Sequence, residues 1–140
     1  MRSRLEGTCH CGNIAIVLET QQDPRHLPLR ECDCGFCRRH GARTTSDPEG
    51  QARIGVQDPS LLSRYSFGLR TAEMVVCSRC GMYAAAVLRE GGRGWAVLNT
   101  NLFLHPAFDR AGEKVSYGDE TAEQRIARRK RIWTPLLDRL

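Results

Sequence analysis

Nothing in this chain of 140 residues is apolar for long. No stretch approaches the ~18 uninterrupted apolar residues needed to cross a bilayer, so the sequence offers no argument for a membrane role. Met1-Arg2-Ser3-Arg4-Leu5-Glu6-Gly7-Thr8 is charged and lacks the apolar core of a signal peptide, which makes the cytoplasm the expected compartment. Aromatic residues are scarce, at 6%, and glycines number 13, a composition that suits turns and short strands better than long helices. Repeats and low-complexity segments are absent. A chain of this length makes one domain and buries roughly two-thirds of the surface it exposes when unfolded, so its core is modest.

Net positive charge is missing from most of the chain. Residues 121–140 hold six basic and two acidic side chains and so supply +4 of the net +5, leaving the first 120 residues nearly neutral. The pI near 9.0 therefore describes one C-terminal segment. No aromatic platform is interleaved with Arg128-Arg129-Lys130-Arg131, which argues against nucleic acid as a partner and for a solvated helix end.

The expected fold is mainly β, rich in turns and short strands, with a short C-terminal helix. Strands are expected over Gly12 to Thr20, around Arg53-Ile54-Gly55-Val56, Leu61-Leu62 and Tyr65-Ser66-Phe67, and over Trp95 to Asn99. Glu73 to Cys77 and Met82 to Arg89 form the two arms of a hairpin tipped by Cys77-Ser78-Arg79-Cys80-Gly81. The helix begins near Asp119 to Thr121, where Thr121 with Gln124 makes a capping box, and it should end before Pro135. Ala122, Ile126 and Trp133 mark its apolar stripe. Residues 1–118 carry the metal-binding body, and residues 119–140 form a basic helix and tail of the same domain.

What the chain does have is seven cysteines. An odd number in a reducing compartment is a poor disulfide framework, and the close pairs Cys9/Cys11 and Cys32/Cys34 would close strained rings. On an extended segment such pairs leave the same face and can converge on one ion. Cys77-x-x-Cys80-Gly81 is a zinc-knuckle spacing whose glycine can adopt positive φ. A structural zinc wants four protein ligands and a catalytic one three, and seven cysteines divide that way. The preferred division joins Cys9, Cys11, Cys77 and Cys80 in a closed structural site and leaves Cys32, Cys34 and Cys37 in an open one. The exchange in which Cys32 and Cys34 join the knuckle stays open, as does iron in the four-thiolate site.

The open site is the one expected to carry chemistry. Zinc with three thiolates has one net negative charge, so activating water suits it poorly and a soft thiol suits it well. Arg38, Arg39 and Arg43 are candidates to offset the charge. The bland reading is that His10, His40, His105 or Asp33 closes the site and makes it structural. Trp95 and Trp133 read as packing residues, His105-Pro106 as a turn, and Asn99 as either a polar group in a pocket or a strand-end hydrogen-bonder.

Thr8-Cys9-His10-Cys11-Gly12, Cys32-Asp33-Cys34-Gly35-Phe36-Cys37-Arg38-Arg39, Cys77-Ser78-Arg79-Cys80-Gly81 and Ala96-Val97-Leu98-Asn99 together resemble the glutathione-dependent formaldehyde-activating family, over roughly residues 7–105. The resemblance implies a mainly β fold of several small coiled antiparallel sheets, of the β-tent type, around two zinc sites, with two zinc ions per chain, one structural and one catalytic. It also implies a carbon–sulfur lyase of the S-(hydroxymethyl)glutathione synthase type, which joins a glutathione thiol and formaldehyde reversibly. The chain departs from that family at Tyr65-Ser66-Phe67-Gly68, at Met74 and Met82, and in the non-aromatic His40-Gly41-Ala42-Arg43-Thr44-Thr45, all outside the two cysteine sets. An enzyme holding its working metal on Cys32, Cys34 and Cys37, with a small-molecule thiol and an aldehyde as partners, is thus the first expectation. A non-catalytic zinc module that binds protein or nucleic acid is the second. A protein side chain as fourth ligand at the three-cysteine site would favour the module.

Overall fold

The computed structural model describes residues 2–138; Met1 and the last two positions of the 119–140 segment lie outside the described residues. Two sheets and two helices make the fold. β1 (Ser3–Thr8) and β2 (Ile14–Thr20) pair antiparallel, and β2 also pairs antiparallel with β5 (Gln51–Val56), giving a three-stranded sheet in the order β1-β2-β5. In β2 the alternation is visible in the residues themselves, with Ile14, Ile16, Leu18 and Thr20 buried and the residues between them partly exposed. β1 has no such pattern because Leu5 is its one buried side chain, and its pairing was not anticipated. At Gly7 a β-carbon would lie 2.2 Å from the Leu102 carbonyl oxygen, so only glycine lets the turn at Thr100–Leu102 close over this strand.

The larger sheet takes β3 (Arg30–Cys32), β4 (Thr44–Thr45), β6 (Leu62–Tyr65), β7 (Glu73–Cys77), β8 (Tyr83–Glu90), β9 (Arg93–Asn99) and β10 (Glu113–Val115) in the order β10-β3-β4-β9-β8-β7-β6, with β11 (Thr134–Pro135) pairing β9. Its pairings are antiparallel except that of β10 with β3, which is parallel. The expected hairpin of β7 and β8 is present, with a register shift between Val75 and Val76. The Tyr65-Ser66-Phe67 strand is not continuous: β6 stops at Tyr65, and the Ser66 hydroxyl turns back to donate to the Ala72 carbonyl.

β8 and β9 are buried on both faces, which explains why Tyr83 to Leu88 reads as an uninterrupted apolar run. Ala85, Val87, Ala96 and Leu98 join the core shared with β2 and β5. Ala86, Leu88, Trp95 and Val97 join a second core with Trp133, against which Ile126 and Ile132 also pack. The molecule is therefore layered as small sheet, large sheet, helix. That helix, α2 (Ala122–Ile132), is capped as its sequence demands: Gln124 N–H donates to Thr121 Oγ1 at 3.2 Å and Thr121 N–H to Gln124 Oε1 at 2.9 Å. A second helix, α1 (Gly35–His40), was not expected, because six residues show no helical periodicity. No helix among the described residues is long and apolar enough to cross a membrane.

Candidate metal centres

The first cysteine group forms where the ends of the two sheets meet. Cys9 and Cys11 lie in the turn between β1 and β2, and Cys77 and Cys80 at the tip of the β7–β8 hairpin. Gly12 and Gly81 follow the two pairs at φ of 86° and 77°, the left-handed conformation that lets each turn double back under its sulfurs. The four sulfurs lie within 4.8 Å of one another. Cys9 Sγ is 3.8 Å from Cys11 Sγ, and Cys11 Sγ is 3.5 Å from Cys77 Sγ. Disulfide bonding needs ~2.05 Å. A tetrahedral ion with sulfur ligands at ~2.3 Å places those ligands about 3.8 Å apart, so the group fits a zinc-sized ion.

Burial pushes the bare Cys9 thiol up to about 11. Burial also acts on Cys80, but backbone N–H donors from Cys11 and Met82 outweigh it and bring that thiol down to about 6. Backbone from both turns, Cys11 of the first and Met82 of the second, thus favours a thiolate at Cys80, as a metal ligand requires.

The second group is local. Cys32 ends β3, Cys34 is the N-cap of α1 and accepts the Cys37 N–H at 3.4 Å, and Cys37 lies within the helix. Gly41, at φ 59°, closes the helix. The three half-buried sulfurs again lie within 4.8 Å of one another. Such close thiols cannot ionise independently: hydrogen bonds from Cys32 and Cys37 pull Cys34 down, while Cys32 and Cys34 push Cys37 up. One thiolate is therefore shared by two thiols.

No histidine, aspartate or glutamate among the described residues joins these three sulfurs. His40 packs at a tilt on Phe36, with 4.4 Å between ring centres, His105 accepts the Ala107 N–H on Nδ1, and His10 is exposed. Both cysteine groups can hold a metal ion, one with four protein ligands and one with three.

A cavity of about 190 Å³ adjoins the three-cysteine group. Its walls are mostly apolar, from Phe67, Met74, Val97 and Trp133, with the buried Tyr83 and Tyr117 beside them. Burial holds the Tyr83 phenol well above its ordinary range, and the nearby Cys37, Cys34 and Cys32 add to the effect. Asn99 does not line this cavity. It is the strand-end hydrogen-bonder, with its Nδ2 donating to the Tyr83 carbonyl at 2.9 Å.

The arginines of the cavity are not those expected. Arg43 is committed elsewhere, donating to the carbonyls of Phe108 and Arg110 and to Asn101 Oδ1, and Arg39 donates to the Gly35 carbonyl. Arg38 and Arg43, two of the expected arginines, border a second hollow that also reaches Cys32 and Cys37. The cavity wall instead takes Arg125, Arg128 and Arg129 from α2. Arg128 and Arg129 are thus partly buried and face the sheet, which corrects their reading as a solvated helix end. Local sequence carried one signal for this, the apolar stripe of α2: residues one turn from Ile126 and Trp133 must also approach the sheet.

Fold and site together define a mainly β protein with two cysteine groups able to hold metal ions. No family model matches the chain, and no curated protein does. Among solved structures, it is similar to a Rhodobacter sphaeroides protein, a structural-genomics target, at 30% identity and a TM-score of 0.59 over 79% of this chain and 100% of that one. The chain belongs to the same family as that protein, whose description assigns no activity.

Proposed function

We propose that the protein is a zinc-dependent carbon–sulfur lyase acting on adducts of a thiol with a small aldehyde such as formaldehyde. The observation that carries this reading is the three-cysteine group: three sulfurs, no fourth side-chain ligand among the described residues, and a cavity beside them. The resemblance of the cysteine pattern to the glutathione-dependent formaldehyde-activating family supports it and points to glutathione as the thiol. Seven unpaired cysteines suit a reducing compartment such as the cytoplasm.

Cys32, Cys34 and Cys37 would hold the working ion, and Cys9, Cys11, Cys77 and Cys80 the structural one. A zinc on three thiolates supplies a soft acceptor position that favours a thiolate over a thiol. In the joining direction the sulfur forms a bond to the carbonyl carbon, the carbonyl π pair moves to oxygen, and the proton lost from the thiol ends on that oxygen. The reverse direction breaks the same carbon–sulfur bond. Tyr83, held in its protonated form, can donate a hydrogen bond to the oxygen but cannot serve as a base. Phe67, Met74, Val97 and Trp133 exclude water from the reacting centre. The arginines of α2 offset its negative charge.

The test is exchange NMR on formaldehyde mixed with glutathione or with a short thiol, using the zinc-loaded parent protein and its Cys37→Ser variant. Faster interconversion of free thiol and hydroxymethyl adduct with the parent, lost in Cys37→Ser, is expected. No acceleration for either thiol, or acceleration that survives in Cys37→Ser, would sink the reading.

A further inference from the structure

Three arginines of α2 border the cavity, but only two have an acidic partner. Glu120 accepts from Arg128 Nε at 2.7 Å and from a second Arg128 nitrogen at 3.0 Å, and it also lies 3.4 Å from Arg125 Nε. Arg129 has the neutral Thr71 hydroxyl at 2.7 Å and no ion-pair partner among the described residues. Its Nε is fully buried without any hydrogen-bond partner, the one side-chain atom among the described residues in that condition. Its guanidinium carbon sits 4.7 Å from the centre of the Trp133 ring, which fixes the plane of the group. Burial, reinforced by Arg128 and Arg125, brings the group down to about 10, still cationic at neutral pH. A half-buried cation with no acidic partner is a seat for a ligand anion.

Cys32, Cys34, Cys37 and Arg129 line the same cavity. Tyr83, in the wall, feels the charge of all three cysteines and that of Arg129. A cavity of about 190 Å³ admits a small ligand such as a three-carbon mercapto acid. A tripeptide such as glutathione would overfill it and have to reach into the second hollow beside Cys32 and Cys37.

We propose that this cavity binds a short mercaptocarboxylate, with its carboxylate on Arg129 and its sulfur toward Cys32, Cys34 and Cys37. Arg129 is the arginine of the wall without a carboxylate partner among the described residues, and its planar guanidinium matches a ligand carboxylate. The assignment of the sulfur end rests on the lyase reading; the carboxylate end rests on Arg129 alone.

Isothermal titration of the zinc-loaded full chain tests it with four probes: 3-mercaptopropanoate, its uncharged amide, propanoate and glutathione. The mercapto acid is expected to bind at least about tenfold tighter than the amide. Propanoate, which has no sulfur, should bind measurably, and glutathione should bind more weakly than the mercapto acid. Arg129→Gln should erase the preference of acid over amide, and Arg131→Gln, at an exposed position, should keep it. Equal binding of acid and amide by the parent, no detectable propanoate binding, glutathione binding tighter than the mercapto acid, or a preference that persists in Arg129→Gln would overturn the inference. The parent comparison needs no variant to fold. If carboxylate preference is found without thiol–aldehyde exchange, the lyase reading fails and the Arg129 site stands. Exchange without the preference gives the opposite result.

Discussion

Cys9, Cys11, Cys77 and Cys80 come from turns at the ends of two different sheets, with Cys77 66 positions beyond Cys11, whereas Cys32, Cys34 and Cys37 come from one short segment that caps α1. In the first group Cys9 and Cys77 are buried and the surroundings are core: Cys9, Cys77 and their neighbours pack with Ile14, Leu18 and Val75. In the second every sulfur is half-buried and a cavity adjoins it. An ion in the first group closes a long loop and ties sheet to sheet, so its binding energy acts as folding energy. An ion in the second orders little beyond α1. Two groups of the same ligand type thus bear differently on the fold, according to how much chain lies between their ligands.

The sharpest way to break this contrast is to remove one ligand from each group. Cys80→Ser should cost several kcal/mol and lower the melting temperature by more than ~10 °C, while Cys37→Ser should lower it by less than half as much. Differential scanning calorimetry with zinc present checks this. Equal losses would mean that both groups hold the fold together.

Chelation should separate the groups with the sequence intact. A zinc-loaded chain is expected to hold two ions, and mild chelator should remove the ion of the three-cysteine group first, leaving about one per chain, because three ligands hold it less firmly than four. Metal analysis on the dialysed protein, with near-ultraviolet circular dichroism unchanged at one ion, is the measurement. Simultaneous loss of both would erase the distinction.

The smallest effect concerns the charge balance beside the cavity. Hydrogen bonds from Arg128 lower the Glu120 carboxyl below its ordinary value of 4.5. A depressed acid stabilises the fold above its unfolded value, and that contribution is lost as pH falls through the folded value. Glu120→Gln should therefore cost about 1 kcal/mol or less near neutral pH, since the pair is partly exposed, and the gap from the parent should narrow in acid. Urea unfolding of both proteins across that range measures it; a constant gap would show that the carboxyl's charge is not what matters.

Much of this was legible before the fold was known. The alternation in Ile14 to Thr20, the hairpin tipped by Cys77 and Cys80, the capping box of α2 and the positive φ of Gly81 are all local features, set by residues within a turn or two of one another. β1 was not legible because an edge strand with one buried leucine has no period to read. α1 was hidden because its stability comes from the Cys34 cap, the Gly41 stop and the packing of Phe36 on Phe67 and Tyr83, none of which is helical periodicity.

By itself the sequence determined that seven cysteines would divide into four and three, because ligand count and close spacing are properties of the chain as written. Only the tertiary structure decided what surrounds them. It turned the expected solvated arginines of α2 toward the sheet, engaged Arg43 with carbonyls far along the chain, and left Arg129 buried beside the three-cysteine cavity with an unanswered donor. Charge neighbours more than 80 residues apart in sequence meet through the packing of one apolar stripe, and the strength of a charge in a protein depends on what that packing removes from water.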